Sequence, residues 1–303
     1  GDVVGETNVS SAGGVQLTIR KNATFVESHD QGYKFYVKGL LGGHSGDAIR
    51  EDRGNAIKIA GLVLKACLDN GFDIRLSSLN AGQKANAICR DGLFTFQSTS
   101  NKEELKAFIH ERMEEQKTLY PLDYSLEEEQ SGHVILDSDA LIHFLALCPY
   151  GVEKYSYYFN HFPVLSLNLG IMETTEKAVE LILLLRSENE INLKLLVNEV
   201  ETLASLFGLS VTPSDEYYGW SYDPDSQLRK SYKEAYKKAY DKELKEVPTH
   251  GGLETGYMSR IFPDMDIVTM GPNCIDIHTP QERLEIKTLY EVYDFLKNWL
   301  GEL

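Results

Sequence analysis

Residues 164–186 read VLSLNLGIMETTEKAVELILLLR. Two apolar runs, Val164–Glu173 and Ala178–Arg186, flank a short polar turn, a pattern that predicts a β-hairpin. The second run is apolar almost without a break from Val179 to Leu185, as a strand in the middle of a covered sheet requires. Helical periodicity lies on both sides of this hairpin. Ser138–Cys148 reads as a short apolar helix stopped by Pro149. Leu193, Leu196, Val197, Val200, Leu203, Ala204 and Phe207 keep helical spacing up to Gly208, with a strand over Leu209–Thr212.

The same alternation continues toward the N-terminus. Val15, Leu17 and Ile19, and then Tyr33, Phe35 and Val37, alternate as strands, the second running into the glycine-rich turn Gly42-Gly43-His44-Ser45-Gly46. Asn55 is placed to cap a helix that carries Ile57, Ala60, Gly61, Leu64 and Leu68 on one face and stops at Gly71. A strand is expected over Asp73–Leu79. Asp91-Gly92, between AICR and LFTF, predicts a two-residue hairpin turn. Ser100 with Glu103 predicts a capping box opening a helix with Leu105, Phe108, Ile109 and Met113 inward, ending before Pro121. Glu127–Gln130 reads as a solvated turn. Together these elements predict an α+β unit, an antiparallel sheet covered on one face by helices.

The aromatic run YYGWSY (Tyr217–Tyr222) and Asp223-Pro224-Asp225 mark a boundary. Beyond it the sequence predicts a helix from about Asp225 to Lys242, a helix over Leu253–Phe262, a buried strand over Asp266–Met270, and a last helix, Lys287–Leu300, burying Leu289, Val292, Tyr293, Leu296 and Leu300. This reads as an αβαβα piece of a doubly wound sheet with too few strands to close it.

Composition narrows the function classes. The chain has 303 residues, 42% hydrophobic and 25% charged, as in ordinary globular proteins. Thirty Lys plus Arg against 46 Asp plus Glu give a net charge of −16, which disfavours nucleic acid and anionic membrane surfaces as partners. Four cysteines (Cys67, Cys89, Cys148, Cys274) lie far apart and read as separate thiols of a reducing, cytoplasmic compartment. Gly1, where a Met is usual, is read as a processed or trimmed start.

No H-E-x-x-H, P-loop, G-x-G-x-x-G or G-x-S-x-G motif is present. What remains is polar residues at strand ends. His44 sits among glycines that let the backbone approach another group, as a functional imidazole or as a solvated turn histidine. Arg186 ends an apolar strand, as a guanidinium that forks onto a carboxylate or as a snorkelling edge residue. His278, after Gly271-Pro272-Asn273, is a metal ligand or a structural histidine. His250, before Gly251-Gly252, opens a helix whose free N–H groups suit an anion or simply a glycine-eased start.

Taken in order, GLLGGHSGDAI (Gly39–Ile49), NAGQKANAICR (Asn80–Arg90), SLNLG (Ser166–Gly170), LLLRS (Leu183–Ser187), YYGWSYDPDS (Tyr217–Ser226), HGGLETG (His250–Gly256) and MGPNCIDIHTPQERLEI (Met270–Ile286) resemble the Xaa-His dipeptidases, also called aminoacylhistidine dipeptidase or peptidase D. These are carnosinase-like members of the zinc aminoacylase/carboxypeptidase superfamily. The resemblance implies an α+β lid, which in many relatives also dimerises, inserted in an α/β zinc-peptidase domain. It implies that residues 1–13 end a first catalytic-domain segment, 14–217 form the lid, and 218–303 form the C-terminal part of the catalytic domain, the only part of it expected here.

The implied chemistry is hydrolysis of Xaa-His dipeptides by a water activated between two zinc ions. By position, the resemblance implies His278 as a zinc ligand, His44 as the lid group that stabilises the oxyanion, Asn86 and Arg186 as holders of the substrate carboxylate, and Gly252 as a backbone position beside the substrate. Thr255 and Thr279 depart from the residues common in relatives. No H-x-D motif or fitting Glu pair precedes the lid, so the chain is expected to be a C-terminal fragment, inactive alone. A homodimer through the lid, a related aminoacylase or exopeptidase, and a non-catalytic lid-like module for peptide binding or dimerisation are the further expectations.

Overall fold

The computed structural model describes residues 1–130 and 132–302, which divide into two compact units. One comprises Gly1–Gly13, Ser187–Glu190 and Tyr217–Leu303, and the other Gly14–Arg186 and Ile191–Glu216. In chain order, β1 (Glu6–Ser11) opens the first unit. The second unit follows with β2 (Gly13–Asn22), β3 (Phe25–Glu27), β4 (Gln31–Lys38), β5 (Gly43–His44), α1 (Ala56–Asp69), β6 (Arg75–Ala81), β7 (Ala87–Ile88), β8 (Gly92–Ser98) and α2 (Lys102–Leu119). It continues with β9 (Asp123–Glu129), β10 (His133–Ile135), α3 (Asp139–Leu147), β11 (Gly151–Tyr155), β12 (Pro163–Thr174), β13 (Ala178–Ser187), α4 (Glu190–Leu206) and β14 (Ser210–Tyr217). The chain then returns to the first unit with α5 (Gln227–Tyr240), β15 (Lys245–Thr249), α6 (Thr255–Ile261), β16 (Cys274–Ile275), β17 (Arg283–Leu284) and α7 (Ile286–Leu300).

In the second unit nine strands form one sheet in the order β14-β2-β13-β12-β6-β8-β4-β9, with β11 paired to β12. The decisive hairpin is the centre of that sheet: β13 lies between β2 and β12, and its side chains are buried almost throughout. Period-two alternation places Val15, Leu17 and Ile19 of β2 and Tyr33, Phe35 and Val37 of β4 in the core. Across β4 and β8, Tyr33 stacks on Phe96 at 5.1 Å and Phe35 meets Phe94 at 6.3 Å, directly opposed pairs that fix the register. α1 packs on β4, β8 and β12 and against α2 and α3. Asn55 caps it as expected, its Oδ1 accepting from the amides of Ile57 and Lys58 at 3.0 and 3.3 Å, while its Nδ2 donates to the Leu169 carbonyl at 2.8 Å.

Several expectations are corrected. Asp91-Gly92 is not a hairpin turn: β7 pairs with β5, and Gly92 begins β8, between Val37 and Ala81. A Cβ on Gly92 would come within 2.7 Å of the Ala81 side chain, so packing rather than turn geometry selects glycine. The cap of α2 is Asn101, which accepts from Glu103 and Glu104 amides at 3.0 and 3.2 Å, whereas Ser100 Oγ is already engaged by the Asp73 amide. Glu127–Gln130 is not a free turn either. Most of it belongs to edge strand β9, where Glu128 accepts from Lys102 and Lys106, so the acidic run is the charged guard of a sheet edge.

The first unit is built around a parallel pair, β1 with β15, in the register Glu6↔Lys245 to Ser11↔Thr249. Its aromatic core joins Tyr232, Tyr236, Leu244, Phe295 and Trp299, with Tyr232 stacked on Trp299 at 5.0 Å. Asp266–Met270 forms no strand; Thr269 is tied to β1 by side chains instead, the Asn8 amide donating to Thr269 Oγ1 at 2.7 Å. The last helix turns Thr288, Phe295 and Trp299 inward, and Leu289, Tyr293 and Leu300 stay exposed, because the anchoring face is set by contacts with α5. Residues 1–13 supply the strand beside β15, and the parallel sheet of this unit has these two strands among the described residues, in keeping with the expectation of too few strands to close it.

The cysteines are free. Burial pushes the Cys67, Cys89 and Cys148 thiols up to about 12. A raised thiol value leaves the folded state neutral where the unfolded state ionises, so these groups cost no stability below the ordinary thiol range and remove it as pH climbs from there toward 12. At pH 8 a chromogenic aryl disulfide is expected to titrate only the half-buried Cys274 in the native protein, with the other three appearing on unfolding; four fast thiols in the native state contradict this packing. Among the described residues no helix is long and apolar enough to cross a membrane.

Candidate substrate-binding site

Three of the site residues expected from sequence are brought together by the second unit. His44 lies in β5, opposite Ala87 of β7. Gly43, at φ 128°, makes the turn into this strand, where a Cβ would meet Ala48 at 2.9 Å and the Arg53 guanidinium at 2.6 Å. The His44 ring is exposed. Its Nδ1 accepts from the Gly46 amide at 3.2 Å, which in the neutral ring places the proton on Nε2. The Asp47 carboxylate lies 3.4 Å from Nδ1.

Asn86 stands on the short connection from β6 to β7, and its carbonyl accepts from the Ser45 amide at 2.9 Å. Arg186, near the end of β13, is only 5% exposed, and its Nε donates to Ser45 Oγ at 3.4 Å. A guanidinium at a strand end and nearly out of water is a strong, directional partner for a carboxylate. Beside the cluster is a cavity of about 840 Å³, whose lining includes His44, Asn86, Lys84, Arg90 and Glu173. That volume suits a small peptide.

Gly252 and His278 belong to the other unit. The Gly251 carbonyl accepts from the Ala12 amide at 2.9 Å, and a Cβ on Gly252 would meet the Tyr217 ring at 3.0 Å, so this segment runs close against its neighbours. His250 is buried at its start. His278 is exposed, at φ 66°, and its amide donates to the Glu282 carboxylate at 2.9 Å in a turn closed by the Arg283–Asp276 ion pair. Among the described residues no three His, Cys, Asp or Glu side chains converge on a point that could hold a metal ion. His278 alone does not make a catalytic zinc site, which takes three protein ligands.

Two residues escaped the reading of the sequence. Ser45, 1% exposed, joins the Asn86 and Arg186 segments. Asn168, also 1% exposed, donates from Nδ2 to the carbonyls of Ala85 and Ala87, both at 2.8 Å. Their only signal was a small polar residue inside an apolar strand or beside the histidine.

The family model for peptidase family M20/M25/M40 matches residues 3–302. A protein of Escherichia coli (strain K12), cytosol non-specific dipeptidase, is 28% identical over 310 residues, covering 99% of this chain and 64% of that protein. The crystal structure of aminoacylhistidine dipeptidase from Vibrio alginolyticus matches at TM-score 0.90 and 26% identity, over 100% of this chain and 64% of that one. A Bacillus subtilis protein described as a dinuclear metal binding peptidase from the M20 family matches at TM-score 0.32 and 11% identity, over 98% of this chain and 53% of that one. The chain thus spans 64% of the length of the first two relatives. The expected fold class, an α+β lid with only the C-terminal part of an α/β zinc-peptidase domain, is overturned: the family match runs from residue 3 to residue 302, without stopping at the expected boundaries.

Proposed function

Because the chain belongs to peptidase family M20/M25/M40, we propose that it serves the hydrolysis of dipeptides, with Asn86 and Arg186 holding the substrate's C-terminal carboxylate and His44 donating from Nε2 to the oxyanion that forms at the scissile carbonyl. The observation that carries this reading is the convergence of three separate segments on Ser45, which ties a nearly buried guanidinium to the segments whose exposed imidazole and amide residue line a peptide-sized cavity. Arg186 fixes the end of the substrate by its carboxylate. Preorganised donors such as His44 Nε2 act where negative charge develops during attack on the carbonyl. Gly252 is the backbone position beside the substrate, the residues 14–217 act as the lid and homodimer surface, and the protein works in the cytoplasm. Xaa-His dipeptides are the substrate reading, supported by the similarity to aminoacylhistidine dipeptidase.

Zinc is the metal of this reading, with His278 as the one ligand assigned to it. Among the described residues the side chains do not make up the remainder of a site. Titration of the purified chain with zinc is expected to give no site tighter than about micromolar, since one imidazole falls short of the three ligands of catalytic sites. A stoichiometric nanomolar site contradicts the assignment. The same observation favours a second reading, in which the chain by itself binds peptides or dimerises without cleaving them.

The two ends of the substrate offer the direct test. A dipeptide with a free C-terminus is expected to bind the purified chain about tenfold or more tightly than the same dipeptide as its C-terminal amide, measured calorimetrically. Equal binding of acid and amide removes the carboxylate reading.

A further inference from the structure

Arg186 and Asn86 come from segments far apart in the chain, yet both must be held to a few tenths of an ångström if they are to share one carboxylate. The second unit meets this need with two buried polar side chains that touch neither solvent nor the cavity. Ser45 has its amide on the Asn86 carbonyl at 2.9 Å and its Oγ on Arg186 Nε at 3.4 Å. Asn168, inside the apolar strand β12, spends both Nδ2 hydrogens at 2.8 Å on the carbonyls that bracket Asn86, those of Ala85 and Ala87. Its Oδ1 has no hydrogen-bond partner among the described residues although the residue is 1% exposed. A buried, half-satisfied amide carries a cost in stability that an apolar residue would avoid. That cost is understandable if the Nδ2 contacts hold the loop. The loop also lies tight on the same strand, where a Cβ on Gly170 would meet the Ala85 backbone at 2.6 Å.

From this geometry we infer that Ser45 and Asn168 are positioning residues for substrate-carboxylate recognition, Ser45 by orienting the Arg186 guanidinium and Asn168 by clamping the backbone on both sides of Asn86. The inference rests on the carboxylate reading proposed above and deepens it. Neither side chain contacts the ligand; each sets the direction in which a binding group points. Loss of either should therefore weaken a ligand that has the carboxylate while leaving one that lacks it nearly unaffected. A merely structural role would weaken both alike.

The test is calorimetric titration of the purified chain, wild type and variants, with a free dipeptide and with its C-terminal amide, alongside thermal melts. Ser45→Ala is expected to weaken the acid about tenfold and the amide less than twofold. Asn168→Asp, which keeps the size but removes the two donors, is expected to do the same. In 15N-arginine-labelled protein the Arg186 Nε–H should exchange with solvent faster in Ser45→Ala than in wild type, a readout that needs no ligand and stands if one variant folds poorly. If Arg186→Ala abolishes the preference for the acid while Ser45→Ala and Asn168→Asp keep it, the positioning role is overturned and the carboxylate reading survives. If Arg186→Ala itself keeps the preference, both fall. Equal weakening of acid and amide by Ser45→Ala also overturns the positioning role.

Discussion

Arg186→Ala is expected to weaken binding of a free dipeptide by about a hundredfold, with little change for the dipeptide amide. Two charge-assisted hydrogen bonds to a carboxylate, made by a group only 5% exposed, contribute on the order of 3 kcal/mol together. The Ser45 hydroxyl that accepts from Arg186 Nε is left without that donor, so a modest loss of stability should accompany the change. Arg186→Lys should recover only part of the affinity, since an ammonium is a point charge that cannot fork onto two oxygens and reaches Ser45 differently. Titration calorimetry of the three proteins with acid and amide decides it. An Arg186→Ala chain that still prefers the acid contradicts the role of this guanidinium.

The second large effect is on stability. Gly82→Ala is expected to cost about 3 kcal/mol or more in a denaturant-unfolding measurement, and to abolish the preference for the acid. Gly82 sits at φ 72°, and a Cβ there would lie 1.9 Å from the Gly170 carbonyl oxygen, a backbone atom of the central strand that has no room to yield. The loop that carries Asn86 would have to lift off β12. Gly71→Ala is the matched control. Gly71 has φ 81° but nothing within 4 Å of the added carbon, so only the conformational strain, about 1 kcal/mol, should appear. Equal losses at the two positions would show that the close approach of the Gly82 loop to β12 is not what selects glycine there.

Much of the second unit was legible because burial dictates period. Val15, Leu17 and Ile19, the unbroken run of β13, and the cap Asn55 each satisfy a local rule that the whole sheet also needs. The misreadings share a cause: the same residue types serve two purposes. Asp91-Gly92 has the chemistry of a turn, yet Gly92 is chosen by the Ala81 and Phe94 side chains packed over it. Glu127–Glu129 has the charge of a loop, yet Lys102 and Lys106 on a neighbouring helix turn it into a guarded edge. Asp266–Met270 is apolar enough for a strand, but Thr7 and Thr269 hold it beside β1 through hydroxyls. In α7 the apolar residues outnumber one helical stripe, and packing against α5 and Leu244 turns Phe295 and Trp299 inward while Ile286, Leu289 and Tyr293 stay exposed.

The site was legible one residue at a time and not as an arrangement. Nothing in the spacing of His44, Asn86 and Arg186 says that they meet, because 142 positions separate the first from the last, and His44 and Arg186 lie on strands of different sheets. Ser45 and Asn168 gave weaker signals still. A buried serine next to a histidine, or an asparagine in an apolar strand, becomes meaningful only when its hydrogen-bond partners are known. For His278 the difficulty is reversed: its surrounding pattern was the most distinctive in the chain, yet no two further ligands join it among the described residues.

The most direct test of the account is a crystal structure of the chain with a free dipeptide bound. The C-terminal carboxylate is expected within about 3.2 Å of the Arg186 guanidinium and the Asn86 side chain, with the peptide carbonyl toward His44 Nε2. A dipeptide held by its amino end, or seated away from the Ser45 cluster, would contradict it.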